Sequence, residues 1–195
     1  MRPTEFETAV EGLARLEEVW RLLVAFARDR GVTRLGYHHL PPPGAPDANL
    51  LRIENDGFAE SLLGQYLTAR INGIAALATA IQNGVRPIYL DEIETMEHLT
   101  HREKAHIAGY RAAGVTSGLG LQVFGPNGRN GIFAVALPAE MTRMDPTALG
   151  ELRWACQAMH LRYCALLIPT LGKLPQLSSR EAEVLTWVAR GKSNA

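Results

Sequence analysis

The sequence predicts an α/β protein: an α/β/α sandwich with a central antiparallel sheet covered by helices on both faces, plus a short C-terminal helical appendage. Three observations carry this expectation. Extended runs come in consecutive pairs joined by turn residues. Stretches with apolar residues three and four apart surround those pairs, and each needs a sheet face to cover. A stretch marked by Pro169, Gly172 and Pro175 then sets a last capped helix apart.

Each element has a local cause. Thr4-Glu5-Phe6-Glu7 fits a capping box, with Thr4 as the cap and Glu7 reaching back. Phe6, Val10, Leu13, Leu16, Val19, Trp20, Leu23 and Phe26 follow as one apolar stripe, breakable near Gly12 into two helices, and Gly31 supplies the stop. VTRLGYHHL (32–40) is β-rich and ends at Pro41-Pro42-Pro43-Gly44, with NLLRIEND (49–56) as its antiparallel partner. Residues 58–70 and 74–83 read as helices, 86–90 as a short extended piece and 99–113 as a further helix. SGLGLQVFGPNGRNGIFAVAL (117–137) is a β-hairpin turning at Pro126-Asn127-Gly128. Asp145 as N-cap and Pro146 at the first helical position open a long helix running to about Ile168. The expected units are a domain over 1–170, a linker over 171–177 and an appendage over 178–195.

Composition narrows the function classes. Among 195 residues, 47% are hydrophobic and 21% charged, ordinary values for a globular chain. Lys+Arg and Asp+Glu both number 20, so the basic excess of a free-standing nucleic-acid binder is missing. MRPTEFETAVEGLARLEE lacks an apolar signal core, and no apolar run is long enough to span a bilayer, so no membrane association is expected. Cys156 and Cys164 fall in one helical pattern about 12 Å apart along the axis, too far for a disulfide. A cytoplasmic location with reduced thiols follows as the expectation.

The last stretch, LSSREAEVLTWVARGKSNA, carries Ser178 and Glu181 as a second capping box and a stripe of Ala182, Val184, Leu185, Val188 and Ala189 that should be buried, ending at Gly191. It resembles the opening of the helix-turn-helix domain of LuxR-family transcription regulators. That family places a later recognition helix in the major groove as a dimer. Residues 1–195 hold none of that helix, so DNA binding is expected only if the remainder of the domain is present. The earlier part resembles the same family's autoinducer-binding domain over roughly residues 5–170. The likeness rests on VTRLGYHHLPP, QYL, RPIYLDEI, AAGVTSGLGLQVFGPNGRNGIFAVAL and the long helix before the linker.

This resemblance implies a small-molecule pocket between the sheet and one helical layer. Acyl-homoserine lactone receptors of the family share a tryptophan and a tyrosine one turn apart, an aspartate nine residues further and a second tryptophan. Tyr66 keeps the tyrosine, whereas Leu62, Ala75 and Leu90 stand at the other three places, and Gly120 and Ala134 at hairpin positions that often carry hydroxyls. A small gap in the alignment would instead bring Asn72 to the aspartate position. Phe58, Tyr89, His38 and Leu40 complete the expected lining. Losing the groups that satisfy a lactone's amide and carbonyl costs about 1–3 kcal/mol each, two orders of magnitude or more in affinity. Alternation places Gly36, His38 and Leu40 on one face of the first strand, His38 beside Tyr66 if that face is the cavity's. Arg52 and Glu54 share a face of the second strand and could also reach inward.

Other chemistry finds no support. His106 lies five residues beyond His101, off the i,i+4 ligand face shared by zinc-binding pairs, and His98 adds no matching Cys or carboxylate cluster. No serine sits in a nucleophile elbow, and the glycines at 118, 120, 125, 128 and 131 belong to a hairpin rather than a phosphate loop. No catalytic residue, metal or cofactor is expected, and no enzyme activity. The expected function is the ligand-binding regulatory domain of a LuxR-type regulator with altered or lost lactone recognition. The expected partners are a small-molecule signal, an acyl-homoserine lactone or another, and a second LuxR-type chain in a homodimer or heterodimer. A ridge of Leu149, Leu152, Ala155, Cys156, Met159, Tyr163 and Leu166 on the long helix would serve that pairing. The alternative is an interaction module that has lost its signal and silences intact regulators by forming mixed dimers.

Overall fold

The computed structural model of the protein describes residues 1–73, 76–172 and 178–189. The N-terminal stripe divides as expected, into α1 (Pro3–Gly12) and α2 (Leu16–Arg28). The cap differs. Pro3 occupies the first helical turn, Arg2 precedes it, and the Glu5 carboxylate folds back to accept from the Arg2 backbone N–H at 2.9 Å. Thr4 therefore lies inside the helix and Glu7 has no capping role, because a proline with φ already set for a helix starts it two residues early.

β1 (Arg34–Leu40) pairs with β2 (Ile53–Asp56), which is shorter than the 49–56 run, since residues 41–52 form a loop of turns. α3 (Glu60–Ile71) and α4 (Ala76–Asn83) follow. The extended piece contracts to β3 (Ile88–Tyr89), and Leu90 opens a short helix, α5 (Leu90–Glu94), which the sequence reading had not separated. Glu92, at the third helical position, accepts from the Tyr89 N–H at 3.3 Å and starts the turn there. α6 (His101–Ala112) begins at a Thr100–Glu103 capping box. β4 (Gly118–Val123) and β5 (Asn130–Ala136) form the hairpin, whose turn puts Asn127 and Gly128 at φ +56° and +72°, as Asn-Gly allows. α7 (Pro146–Leu167) is capped by Asp145, which accepts from the N–H groups of Thr147 and Ala148.

The sheet runs β2-β1-β5-β4-β3, antiparallel throughout. α1, α2 and α7 pack on one face over Leu35, Tyr37, Leu119, Leu121, Phe133 and Val135. α3, α4 and α6 cover the other, where Gly36, His38, Gly120, Ile132 and Ala134 alternate with that set. The expected sandwich is the observed one.

Two assignments change on packing grounds. In the apolar ridge of α7, Leu152, Ala155, Cys156, Met159 and Tyr163 are buried under the chain's own sheet, so those five are not available to a second chain. α8 (Ser179–Ala189) keeps its Ser178–Glu181 cap, but none of its residues is buried, against the predicted buried stripe. An amphipathic stripe is buried only if something covers it, and among the described residues nothing covers this one. Gly191 and the residues after it lie outside the described residues, as does most of the expected linker. No helix among the described residues is long and apolar enough to cross a membrane.

Candidate functional site

Small side chains open the helix-covered face that α3, α4 and α6 overlie. Gly36 on β1 pairs with Ala134 on β5, which pairs with Gly120 on β4. A side chain at Gly36 would meet the Phe58 ring at 3.5 Å, so Phe58 lies directly over the missing one. The result is a hollow of about 70 Å³ between sheet and helices. Of the predicted residues, His38, Phe58, Leu62, Tyr66 and Ala134 line it, joined by Gly36, Ile81 and Tyr110. A smaller hollow of about 20 Å³ shares Phe58, Leu77, Tyr110 and Ala134 as walls and is closed by Leu90 and Val115.

The remaining predicted residues sit elsewhere. Tyr89 faces the α7 side, where its hydroxyl accepts from the Met144 N–H at 3.3 Å. Leu40 packs beside Ala69, Ala78 and Ile81 without lining the hollow. Gly120 does not line it either: Ile81 occupies that space, and an added Cβ would lie 2.1 Å from the Ile81 Cδ1. Ala75 lies outside the described residues. Asn72 is exposed at the C-cap of α3, away from the hollow.

Polar groups at the hollow are few. The His38 Nδ1 and the Tyr66 hydroxyl are 2.6 Å apart with their rings edge-on. Burial, helped by Arg70 and His39, lowers the His38 pKa to about 4, and burial pushes the Tyr66 hydroxyl up to about 12. Both are neutral at neutral pH. With a neutral ring the Tyr66 hydroxyl can donate to Nδ1, leaving Nε2–H as a donor. Asn55 spends its amide on the Phe58 backbone, donating to its carbonyl at 2.9 Å and accepting from its N–H at 3.3 Å. Glu54, the one carboxylate among the lining residues, accepts from the Tyr163 hydroxyl at 3.2 Å. It shares the Tyr37 face of the sheet by register, so the expected inward reach of Arg52 and Glu54 goes to the α7 side instead. The sequence reading missed Tyr110, although Ile107 and Tyr110 at i,i+3 mark the inward face of α6.

A second polar cluster lies on the opposite face. Arg129 donates two hydrogen bonds to Asp47, at 2.8 and 3.0 Å, and His39 lies 3.2 Å from the same carboxylate. Burial raises the Asp47 pKa, but the bonds from Arg129 and His39 outweigh it and hold the carboxyl below its usual range. The Tyr37 hydroxyl sits 2.7 Å from His160 Nδ1 and 3.3 Å from His39 Nδ1.

An antiparallel sheet between two helical layers, with a hollow under α3, α4 and α6, has the form of a small-molecule-binding domain. Residues 15–163 match the family model described as the autoinducer binding domain, and the chain belongs to that family, whose members are ligand-binding domains of LuxR-type transcription regulators. It is 27% identical over 190 residues to a protein described as an HTH-type transcriptional regulator, y4qH, of Sinorhizobium fredii, covering 94% of this chain and 57% of that one. The chain thus spans little more than half the length of that relative. Among solved structures it is similar to SdiA of Escherichia coli, with a TM-score of 0.66, 15% identity, and 98% and 79% of the two chains covered. SdiA in complex with octanoyl-rac-glycerol matches equally, at 0.66 and 16% identity, covering 98% and 77%. The N-acylhomoserine-lactone-dependent LuxR-family factor CepR2 of Burkholderia cenocepacia matches at 0.60 and 15%, covering 88% and 96%.

Proposed function

We propose that this domain regulates transcription by binding an apolar signal with a single neutral polar end, held at His38 and Tyr66, and that acyl-homoserine lactones are weak ligands for it. The observation that carries the reading is the hollow itself: apolar walls, one neutral His–Tyr pair, and a carboxylate already committed to Tyr163. A lactone's amide N–H would enter without an acidic acceptor, and burying it unpaired costs about 1–3 kcal/mol. A neutral ester or hydroxyl can instead meet the His38–Tyr66 pair. At about 70 Å³ the hollow is far below the roughly 300–1,000 Å³ of a formed ligand pocket, so binding requires the walls to yield. Ligand binding then stabilises the domain by mass action, and pairing with a second LuxR-type chain uses surfaces other than the buried ridge of α7.

Thermal denaturation of the chain with octanoyl-glycerol, octanoyl-homoserine lactone and octanoate tests this. The glycerol ester is expected to raise Tm and the lactone to do so only at about hundredfold higher concentration. A lactone shift equal to or larger than the ester's rejects the altered preference.

A further inference from the structure

Three small residues on the hollow's face of the sheet stand in one row. Gly36 on β1 is registered opposite Ala134 on β5, and Ala134 opposite Gly120 on β4. Neighbouring strands lie about 4.8 Å apart, so the row makes a trough roughly 10 Å long across the sheet. Its two ends differ. Gly36 and Ala134 line the hollow beneath the Phe58 ring. At Gly120 the Ile81 side chain fills the trough so closely that no Cβ fits there. Ile88 on β3, registered opposite Gly120 and packed in the same apolar cluster as Ile81, closes the row.

We propose that Ile81 is the specificity-determining residue of the hollow: seated on Gly120, it stops a ligand at β5 and restricts the site to signals with a short or compact apolar part. This deepens the reading of the hollow as a signal site and rests on it. Ile81 is buried among Ala69, Ala78 and Ile132. A β-branched side chain on a helix has one strongly preferred χ1 setting, so Ile81 cannot turn out of the trough while α4 stays in place. Gln122 on β4 holds α4 there, since its side-chain NH2 faces the carbonyls of Ile81 and Gln82 at 3.3 and 3.1 Å. Both belong to the last turn, whose carbonyls the helix itself leaves unpaired. With alanine at position 81 the trough would run on by about one strand spacing, ~4.8 Å, to Ile88. The exchange is symmetrical: a side chain grown from Gly120 would refill the same space from the sheet.

Benzene reads the size of the hollow whatever the natural signal is. An apolar cavity of roughly 150 Å³ takes it up, and the hollow of about 70 Å³ is half that size. Benzene is expected to raise the Tm of Ile81→Ala by about 2 °C or more and to leave the unaltered chain where it is. The double variant Ile81→Ala/Gly120→Val, refilled from the sheet by a residue suited to a strand, should lose that shift. Its urea midpoint should also exceed that of Gly120→Val alone, in which two side chains compete for one space. Between the esters, dodecanoyl-glycerol should gain about tenfold over octanoyl-glycerol in Ile81→Ala relative to the unaltered chain, the worth of roughly two buried methylenes. A benzene shift in Ile81→Ala no larger than in the unaltered chain, or one undiminished in the double variant, overturns the proposal. So does an unchanged ratio between the esters where either raises Tm. If neither ester acts on any variant while benzene follows this pattern, the role of Ile81 stands and the signal class proposed above is what fails.

Discussion

On the face under α1, α2 and α7, alternate strand residues are Leu35, Tyr37, Leu119, Leu121, Phe133 and Val135, all at most 4% exposed and joined in one apolar cluster with those helices. On the face under α3, α4 and α6, the same strands present Gly36, His38, Gly120, Ile132 and Ala134, and a hollow remains. The period-2 alternation of a strand thus lets one sheet serve two ends: one surface is filled by large side chains, and the other leaves space beside small ones.

The sharpest way to break this contrast is to carve the dense face. Phe133→Ala, at a residue with no exposure that stacks 4.8 Å from Tyr37, is expected to cost about 3–5 kcal/mol, read from urea midpoints. Close behind is Arg129→Met, which leaves the Asp47 carboxylate buried with only His39; about 3–5 kcal/mol is again expected, checked by the same measurement. Acid separates the faces by a different route. Burial lowers His160 and His38 to about 4 against an ordinary value of 6.5, so the unfolded chain binds their protons first. The stability from keeping both neutral is complete above pH 6.5 and declines as pH falls toward 4. Asp47, whose pKa is depressed, contributes in the other range: its share is present above the unfolded value near 4 and is lost below it as pH falls through the folded value. Denaturation temperatures from pH 7 to 4.5 should fall, and less steeply in His160→Gln or His38→Gln.

Smaller effects sharpen the hollow side. Ala134→Leu fills the space against Phe58 and should cost about 1–3 kcal/mol while removing any Tm shift caused by octanoyl-glycerol. Tyr66→Phe deletes one hydrogen bond and should cost about 0.5–1.5 kcal/mol, with its larger consequence in ligand affinity.

The sequence made the elements and their order readable because caps and turns are local. Asp145-Pro146, Ser178 with Glu181 and Asn127-Gly128 each act within four residues. Face assignments on β1 were equally legible, since alternation alone put His38 opposite His39. What escaped depends on distance in the chain. The place of Tyr89 turned on where α5 begins, and Gly120 on the reach of Ile81 from α4. The joining of His39, Asp47, Arg129, His160 and Cys164 needs a loop, a hairpin and a helix to meet, and no spacing in the sequence announces that.

The wall of Phe58, Leu77 and Tyr110 between the two hollows has a consequence for selectivity. For the signal proposed above, a short tail would occupy the first chamber and leave the partition standing. A longer one must swing these three groups aside to reach Leu90 and Val115, and gains their contact only after that rearrangement. Affinity against tail length should therefore climb in two stages with a plateau between them, rather than by an even increment for each added carbon.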